Sequence, residues 1–266
     1  MNPTPLSTIA AGADRVRTAI AEASRRTGVD FDYLYNQAKV ESGLRPDAKA
    51  RTSSATGLYQ FIDQSWLGAL KRHGAEHGLA WAANAIGTDA RGRLTIADPG
   101  LRTAIMNLRN EPEASALMAA ETARENGAAI AATTGRTANA TDLYMGHFLG
   151  PRGAAKFLGA MAADPDQRAD RVMPAAAAAN RAVFYASNGT PRSLSDVYER
   201  FAAKMGDDAL DRALAAATPA PSAEPPLPMS LALALAGEDA AALDGLLTTT
   251  KPEAARLAYL TLASLG

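Results

Sequence analysis

The stretch from Gln37 to Trp66, QAKVESGLRPDAKARTSSATGLYQFIDQSW, joins the end of one helix to the start of another. Asp30 is a residue type that caps helix N-termini, and apolar residues recur after it at helical spacing as far as Glu41. Gly43 then favours a helix end, and the residues from 44 to 60, rich in Arg, Ser, Thr and Gly, favour a loop. We therefore expect Glu41 at the C-terminus of an apolar helix, facing a long loop.

Helical patterns extend over most of the chain. Alanine is abundant and β-branched residues are sparse, which favours helix over strand. Capping and helix-breaking residues predict further helices over 12–27, from 63 or 65 to 73, from 98, from 111 to about 134, over 139–149 and 153–162, and from 193 to about 205. A short strand is predicted at 93–96. We expect a mainly α-helical fold with little or no β-sheet.

Composition excludes several classes of function. The 27 Lys and Arg residues nearly balance the 28 Asp and Glu residues, which argues against nucleic acid as the main partner. Cysteine is absent, so disulfide scaffolds, thiolate metal sites and a cysteine nucleophile are excluded. No segment reaches about 18 consecutive apolar residues, so we expect no membrane-spanning helix.

A proline-rich stretch divides the chain into two parts. Residues 218–229 are predicted to form an extended linker between a main domain at 1–217 and a helical hairpin at 230–266. Few contacts cross such linkers, which places a domain boundary here. The C-terminal hairpin is either an appendage that binds a protein partner or a helical pair that packs back on the domain.

Glu41 is the residue best placed for acid chemistry. A glutamate at a helix C-terminus faces the negative end of the helix dipole, which disfavours the ionised carboxylate. Aromatic neighbours would add to this effect by excluding water. A carboxyl group that stays protonated near neutral pH can act as a general acid. The alternative is an exposed glutamate that merely ends a helix.

The residues around Glu41 resemble a known family. Glu41 to Ala48, ESGLRPDA, followed by Thr56 to Phe61, TGLYQF, is similar to the soluble lytic transglycosylases, which have Glu-Ser, then Pro and Ala, then Gly-Leu-Met-Gln. Tyr59 stands where Met is usual, and the intervening loop is about one residue longer. Tyr144 to Pro151, YMGHFLGP, replaces the family's Tyr-Asn-Ala-Gly and resembles a partly flagella-associated bacterial subgroup.

The resemblance implies a goose-type-lysozyme-like domain that cleaves the β-1,4 bond between N-acetylmuramic acid and N-acetylglucosamine in peptidoglycan. Glu41 would protonate the glycosidic oxygen and then take the proton of the muramoyl 6-hydroxyl, which gives a 1,6-anhydro product without a cofactor or metal. The partner would be the glycan strand, with a flagellar or secretion protein as a further partner of the C-terminal region. The first residues show no secretory signal, so the chain is cytoplasmic, is exported without that signal or has been trimmed. The peptidoglycan substrate that the resemblance implies favours a periplasmic location.

Four loop residues are candidate substrate contacts. Ser53 or Ser54 matches the family's hydroxyl near the N-acetyl group or the catalytic glutamate, although either side chain could simply support a turn. The amide of Gln60 can hydrogen-bond a sugar or brace the loop. Tyr59 can stack on a sugar or pack in the core.

Further candidates lie elsewhere in the chain. Tyr185 matches a family tyrosine whose hydroxyl bonds the catalytic glutamate, with a helix-core role as the alternative. His147 replaces the motif tyrosine and is expected to line the cleft. Asp47 and Asp63 are possible second carboxylates, although a turn explains the first and helix capping explains the second.

Three other functions compete with the lytic transglycosylase. The first is a hydrolytic muramidase that uses water. The second is a non-catalytic peptidoglycan-binding or flagellar-assembly factor. The third is a zinc peptidase, because His73 to His77, HGAEH, matches the H-x-x-E-H pattern. Gly74 weakens the helix that such a site requires, and a frayed helix end with solvated histidines is the simpler interpretation.

Overall fold

The computed structural model describes residues 5–206, and their side chains from residue 12 onward. This part is mainly helical, which confirms the fold class at that level. The predicted linker at 218–229 and hairpin at 230–266 lie outside the described residues. The α-helices are α1 (Pro5–Thr27), α2 (Phe31–Ser42), α3 (Asp63–His73), α4 (Ala80–Ala85), α5 (Pro99–Asn107), α6 (Pro112–Thr134), α7 (Ala140–Ala163), α8 (Ala169–Val172), α9 (Pro174–Ala179), α10 (Arg181–Phe184) and α11 (Leu194–Met205).

Local capping explains where the predicted helices begin and end. The side chain of Asp30 accepts a hydrogen bond from the backbone N–H of Tyr33 at 2.8 Å, and the side chain of Asp98 accepts one from Leu101 at 2.7 Å. Gly43 ends α2 in the left-handed conformation, with φ of 62°. These bounds agree with the sequence predictions because capping depends only on neighbouring residues.

Some predicted bounds were wrong. Helix α1 begins at Pro5 rather than at residue 12. Helix α7 spans both predicted segments and is interrupted at Gly150, where φ is 71° and ψ is 160°. Strand β2 (Leu94–Thr95) is shorter than the predicted strand and pairs antiparallel with β1 (Gly87–Thr88). Helices α4, α8, α9 and α10 were not predicted because four to six residues are too few to display a helical period.

The core forms where the long helices pack together. Helix α6 packs against α1 and α7, and α11 packs against α7 and α2. The indole N–H of Trp66 donates to the carbonyl of Ile105 at 2.9 Å inside this core. Within residues 5–206, no helix is at once long enough and apolar enough for a bilayer span. The largest fully buried side chains are those of Trp66, Tyr33, Tyr59, Tyr144, Phe157, Phe184 and Phe201.

A close backbone contact holds the loop that follows α2. Gly57 has φ of 87°, and a Cβ atom at this position would lie 1.9 Å from the carbonyl oxygen of Arg109. Only glycine therefore fits there. The Arg109 guanidinium adds hydrogen bonds to the carbonyls of Ser54 at 2.8 Å and Phe61 at 3.1 Å. These contacts fix the loop against the 3₁₀ helix Leu108–Asn110.

Candidate active site

Glu41 lies in the last turn of α2, where its carboxyl group is shielded from water. Its side chain is 1% exposed, and neither carboxyl oxygen has a hydrogen-bond partner among the described residues. The adjacent Ser42 anchors this turn, because its hydroxyl donates to the carbonyl of Leu58 at 2.8 Å. Most buried polar groups in proteins are hydrogen-bonded, so this carboxyl group calls for a functional explanation.

His147 on α7 faces this carboxyl group. Its Nε2 atom lies 3.3 Å from Oε1 of Glu41, and its side chain is 12% exposed. The two atoms are close, but they do not form a hydrogen bond. Oε1 is buried and has no hydrogen-bond partner among the described residues. The imidazole also stacks on Tyr144, with ring centroids 6.2 Å apart. A small shift of the imidazole would therefore form a hydrogen bond to Glu41.

Two buried tyrosines and one lysine complete the surroundings of Glu41. Burial and, secondly, the charge of Glu41 raise the pKa of Tyr33, whose hydroxyl has no hydrogen-bond partner among the described residues. Burial and the same charge raise the pKa of Tyr144. Burial lowers the pKa of Lys204, and the nearby charge of Arg200 adds to this effect, whereas the charge of Glu41 opposes it. Helices α2, α7 and α11 thus meet around one carboxyl group.

This arrangement suits proton transfer. Glu41 can release or accept a proton because no hydrogen bond from a described residue engages either oxygen. His147 can donate a ring N–H to this carboxyl group after a small shift, and Lys204 adds positive charge to the same region. The site therefore contains an acid and groups that can stabilise its conjugate base.

The loop serines and Gln60 are engaged with the loop itself. The hydroxyl of Ser53 accepts from the backbone N–H of Ala55 at 3.3 Å, and that of Ser54 accepts from Asp63 at 3.2 Å. The amide nitrogen of Gln60 donates to the carbonyls of Gly57 at 2.9 Å and Ala48 at 3.1 Å. The loop-bracing alternatives therefore describe these side chains, and a sugar contact for any of them stays a prediction.

Tyr59 belongs to the core. Its side chain is fully buried, and its hydroxyl donates to the carbonyl of Leu34 at 3.1 Å. A ring without exposed surface cannot stack on a sugar, so the prediction of substrate binding by Tyr59 was wrong. Packing was the other role that the sequence allowed.

Tyr185 does not approach Glu41 as the resemblance implied. Its hydroxyl donates to the carboxylate of Asp170 at 2.9 Å, and its ring lies 4.4 Å from the guanidinium of Arg181. The hydrogen bond to Asp170 raises the pKa of Tyr185. The predicted bond from Tyr185 to the catalytic glutamate is therefore absent, and Tyr33 and Tyr144 are the tyrosines near that carboxyl group.

The two candidates for a second carboxylate have different surroundings. Asp47 is exposed. Asp63 is bound by Arg109 at 3.0 Å and lies 3.5 Å from Arg102. The capping role predicted for Asp63 was also wrong, because Ile62 occupies the cap position of α3 and makes no side-chain hydrogen bond there.

A second group of titratable residues, the His–Glu cluster, comprises His73, His77, Glu121 and Glu125. His77 Nε2 lies 2.8 Å from Glu121, and His73 Nε2 lies 2.8 Å from Glu125. The two histidine side chains are only 6% and 10% exposed. The prediction of solvated histidines at a frayed helix end was therefore wrong, because α6 supplies acidic partners that are distant in sequence.

The sequence analysis missed Tyr33, Tyr144 and Lys204. Tyr33 lies on the same helix as Glu41, and Tyr144 begins the altered motif that contains His147, so both had a local signal. Nothing in the sequence around Lys204 associates it with Glu41. Its position depends on the packing of α11 against α2 and α7.

Comparison with protein-family models finds none that matches this chain. The similarity of residues 41–48 and 56–61 to lytic transglycosylases therefore stays a prediction. The function has to be inferred from that similarity together with the contacts of Glu41.

Proposed function

We propose that this protein cleaves the β-1,4 bond between N-acetylmuramic acid and N-acetylglucosamine in peptidoglycan, with Glu41 as the general acid. The observation that carries the proposal is the buried carboxyl group of Glu41, which has no hydrogen bond from the described residues. Such a group costs stability, so an acid–base role accounts for its presence. The substrate class comes from the resemblance of residues 41–61 to lytic transglycosylases, as does the proposal of a goose-type-lysozyme-like fold.

The side chains that cover Glu41 have to move aside to admit the substrate, because the Glu41 side chain is only 1% exposed. The reaction then proceeds in two proton transfers. Protonated Glu41 gives its proton to the glycosidic oxygen while the bond from that oxygen to C1 of N-acetylmuramic acid breaks. The N-acetyl oxygen of the same sugar stabilises the positive charge at C1. The Glu41 carboxylate then accepts the proton of the muramoyl 6-hydroxyl as its oxygen bonds to C1. Glu41 ends the cycle protonated, and no water is consumed.

The surroundings of the two candidate second carboxylates favour this intramolecular route. Glycosidases of the ordinary kind place a second carboxylate about 5–9.5 Å from the acid. Asp63 is engaged by Arg109 instead, and Asp47 is exposed. A hydroxyl group on the sugar that is being cleaved has a high effective concentration and needs no separate site for water.

His147 supports the proton transfers by stabilising the ionised Glu41. Once the carboxyl group has given up its proton, a ring N–H now 3.3 Å away can donate to it after a small shift. Lys204 adds positive charge to the same region. This stabilisation matters because the carboxylate exists only between the two transfers, away from bulk water.

A hydrolytic muramidase is the second candidate, and His147 is also the observation that favours it. An imidazole beside the catalytic acid can hold a water molecule and accept its proton. The product would then carry a reducing end instead of a 1,6-anhydro end. A non-catalytic peptidoglycan-binding or flagellar-assembly factor is weaker, because binding alone does not require a buried acid.

A zinc peptidase built on His73 and His77 is not proposed. Nδ1 of His77 lies 2.7 Å from the guanidinium of Arg26, and Nε2 lies 2.8 Å from Glu121. Both nitrogens of this ring are therefore engaged, and the paired-histidine ligand set of such enzymes is not available.

Mass spectrometry of digested peptidoglycan tests the proposal. Purified cell walls are incubated with the full chain and, as the matched control, with Glu41→Gln. We expect fragments with 1,6-anhydromuramoyl ends from the wild type and almost none from the variant. Reducing ends, which are heavier by one water, would support the hydrolytic candidate. Intact walls after treatment with a folded wild-type protein would contradict any cleavage function and leave the binding factor. A peptidoglycan substrate also implies a periplasmic location. We propose in addition that the C-terminal region binds a flagellar or secretion protein.

A further inference from the structure

The H-x-x-E-H stretch is divided between two structural environments. His73 ends α3, while Glu76 and His77 lie in the following 3₁₀ helix, Gly74–His77. Arg26 donates to Nδ1 of His77, so Nε2 of this ring carries the proton and donates to Glu121. His77 therefore has no lone pair left for a ligand. The outcome differs for His73.

One nitrogen of His73 is buried, without a partner and directed at an acidic group. Nε2 lies 2.8 Å from the carboxylate of Glu125, which places the ring proton on Nε2. Nδ1 then presents a lone pair, and it lies 3.7 Å from Oε2 of Glu121. Nδ1 has no hydrogen-bond partner among the described residues, and the side chain is nine-tenths buried. Nδ1 of His73 and Oε2 of Glu121 are both electron-pair donors, so their close approach favours a cation between them.

A third ligand atom is close to this pair. His73, Glu76 and Glu121 each offer one ligand atom, and these atoms all lie within 4.8 Å of one another. Zinc binds histidine nitrogen and carboxylate oxygen at about 2.0–2.2 Å, so tetrahedral ligands lie about 3.4 Å apart. The 3.7 Å separation of Nδ1 and Oε2 is near that value. Glu76 is exposed, so this cluster borders the solvent and water could supply a fourth ligand.

The outer contacts have the pattern found around protein-bound zinc. A metal-binding histidine ordinarily donates its other ring N–H to a carboxylate, as His73 does to Glu125. The glutamate ligand is itself oriented, because Glu121 accepts from His77. Arg124 also donates to Oε2 of Glu121, but that oxygen has a second lone pair and the arginine side chain is 52% exposed.

We propose that His73, Glu76 and Glu121 bind one Zn²⁺ ion, with water as the fourth ligand. The ion would connect the 3₁₀ helix after α3 to α6 and so stabilise this side of the fold. The site involves none of the residues around Glu41. Zinc binding can therefore be tested independently of the glycosidase proposal.

Isothermal titration of the chelator-treated full chain with Zn²⁺ tests this site. We expect one equivalent to bind and the thermal midpoint to rise with zinc. His73→Gln should abolish this binding, and Glu76→Gln should weaken it at least about tenfold. Glu76 is exposed, so its variant stays informative even if His73→Gln does not fold. Glu199→Gln is the matched control, because it removes one exposed negative charge elsewhere and should not change zinc binding.

Three results would overturn the proposal. The first is no zinc binding by the wild-type chain, which would mean that a proton occupies the gap between His73 and Glu121. The second is unchanged affinity in Glu76→Gln and in a folded His73→Gln. The third is binding that disappears in His147→Gln but persists in the other variants, which would place the ion beside Glu41.

Discussion

Glu41 and Glu121 are buried to a similar degree, with side chains 1% and 5% exposed, but their surroundings differ. Burial raises the pKa of Glu121, and hydrogen bonds from His77 and Arg124 outweigh this effect, so its pKa is lowered. Glu41 receives no hydrogen bond from the described residues, although His147 lies 3.3 Å away. Glu121 is therefore satisfied by hydrogen bonds within the fold, whereas Glu41 receives none from the described residues.

The largest expected effect is that of Glu41→Gln on cleavage. Gln is nearly isosteric but cannot transfer the proton, so peptidoglycan cleavage should fall by about 100- to 10,000-fold, or about 3–5 kcal/mol of barrier. The free energy of unfolding should change little, because Glu41 has no hydrogen bond from the described residues to lose. Dye release from labelled cell walls and chemical denaturation measure the two quantities. A folded variant with near-normal cleavage would contradict the assignment.

The opposite response is expected for Glu121→Gln. Hydrogen bonds to a charged group are lost, so the free energy of unfolding should fall by about 2 kcal/mol while cleavage is unchanged. Urea denaturation of the zinc-free protein isolates this effect. Glu22→Gln is the control, since Glu22 is an exposed partner of Arg25 and should leave the midpoint unchanged. Unaltered stability in Glu121→Gln would show that the two glutamates do not differ as described.

His147→Gln tests the group that faces Glu41. Loss of a donor for the ionised carboxylate should reduce cleavage about tenfold, or about 1.4 kcal/mol, with little change in unfolding. His77→Gln is the matched variant at Glu121, and it should affect stability but not cleavage. Equal cleavage by the two variants would remove His147 from the mechanism.

Asp63→Asn asks whether any other carboxylate takes part. Because Asp63 is bound by Arg109, the variant should lose about 1 kcal/mol of stability and keep cleavage within a few-fold. The same kinetic and denaturation measurements apply. A loss of cleavage as large as that of Glu41→Gln would reinstate Asp63 as a second catalytic carboxylate.

The smallest expected effect is that of Tyr185→Phe, which should leave cleavage unchanged. Its hydroxyl donates a hydrogen bond to Asp170. The pKa of Asp170 is lowered mainly by the hydrogen bond from Arg168, and the hydrogen bond from Tyr185 lowers it further, whereas burial opposes both effects. A lowered folded-state pKa contributes stability above the unfolded value of about 3.9, and this contribution is lost as pH falls through the folded value. The variant should therefore show a slightly weaker decline of stability below about pH 4 in acid titration. A marked loss of cleavage in Tyr185→Phe would instead support the predicted contact between the Tyr185 hydroxyl and Glu41.

Much of the helical framework could be predicted from the sequence. The side chains of Asp30 and Asp98 cap the helices that they were predicted to start, and Gly43 ends α2. The position of Glu41 at the C-terminal end of α2 followed from the same signals. Each depends on atoms within three or four residues along the chain, so the local sequence contains all the information required.

The roles of individual side chains depended on tertiary structure. Tyr59 and Tyr185 were both predicted near the substrate, yet one lies in the core and the other bonds Asp170. The histidines of the H-x-x-E-H stretch obtained acidic partners from α6, more than forty residues away along the chain.

The sequence by itself determined the helices and the placement of one acid at a helix end. Tertiary packing decided that Glu41 receives no hydrogen bond from residues 5–206, that His147 faces it, and that Lys204 lies near it. The physical reason is distance along the chain: capping and helix termination act between neighbours, whereas burial and ion pairing arise only when α2, α7 and α11 pack together.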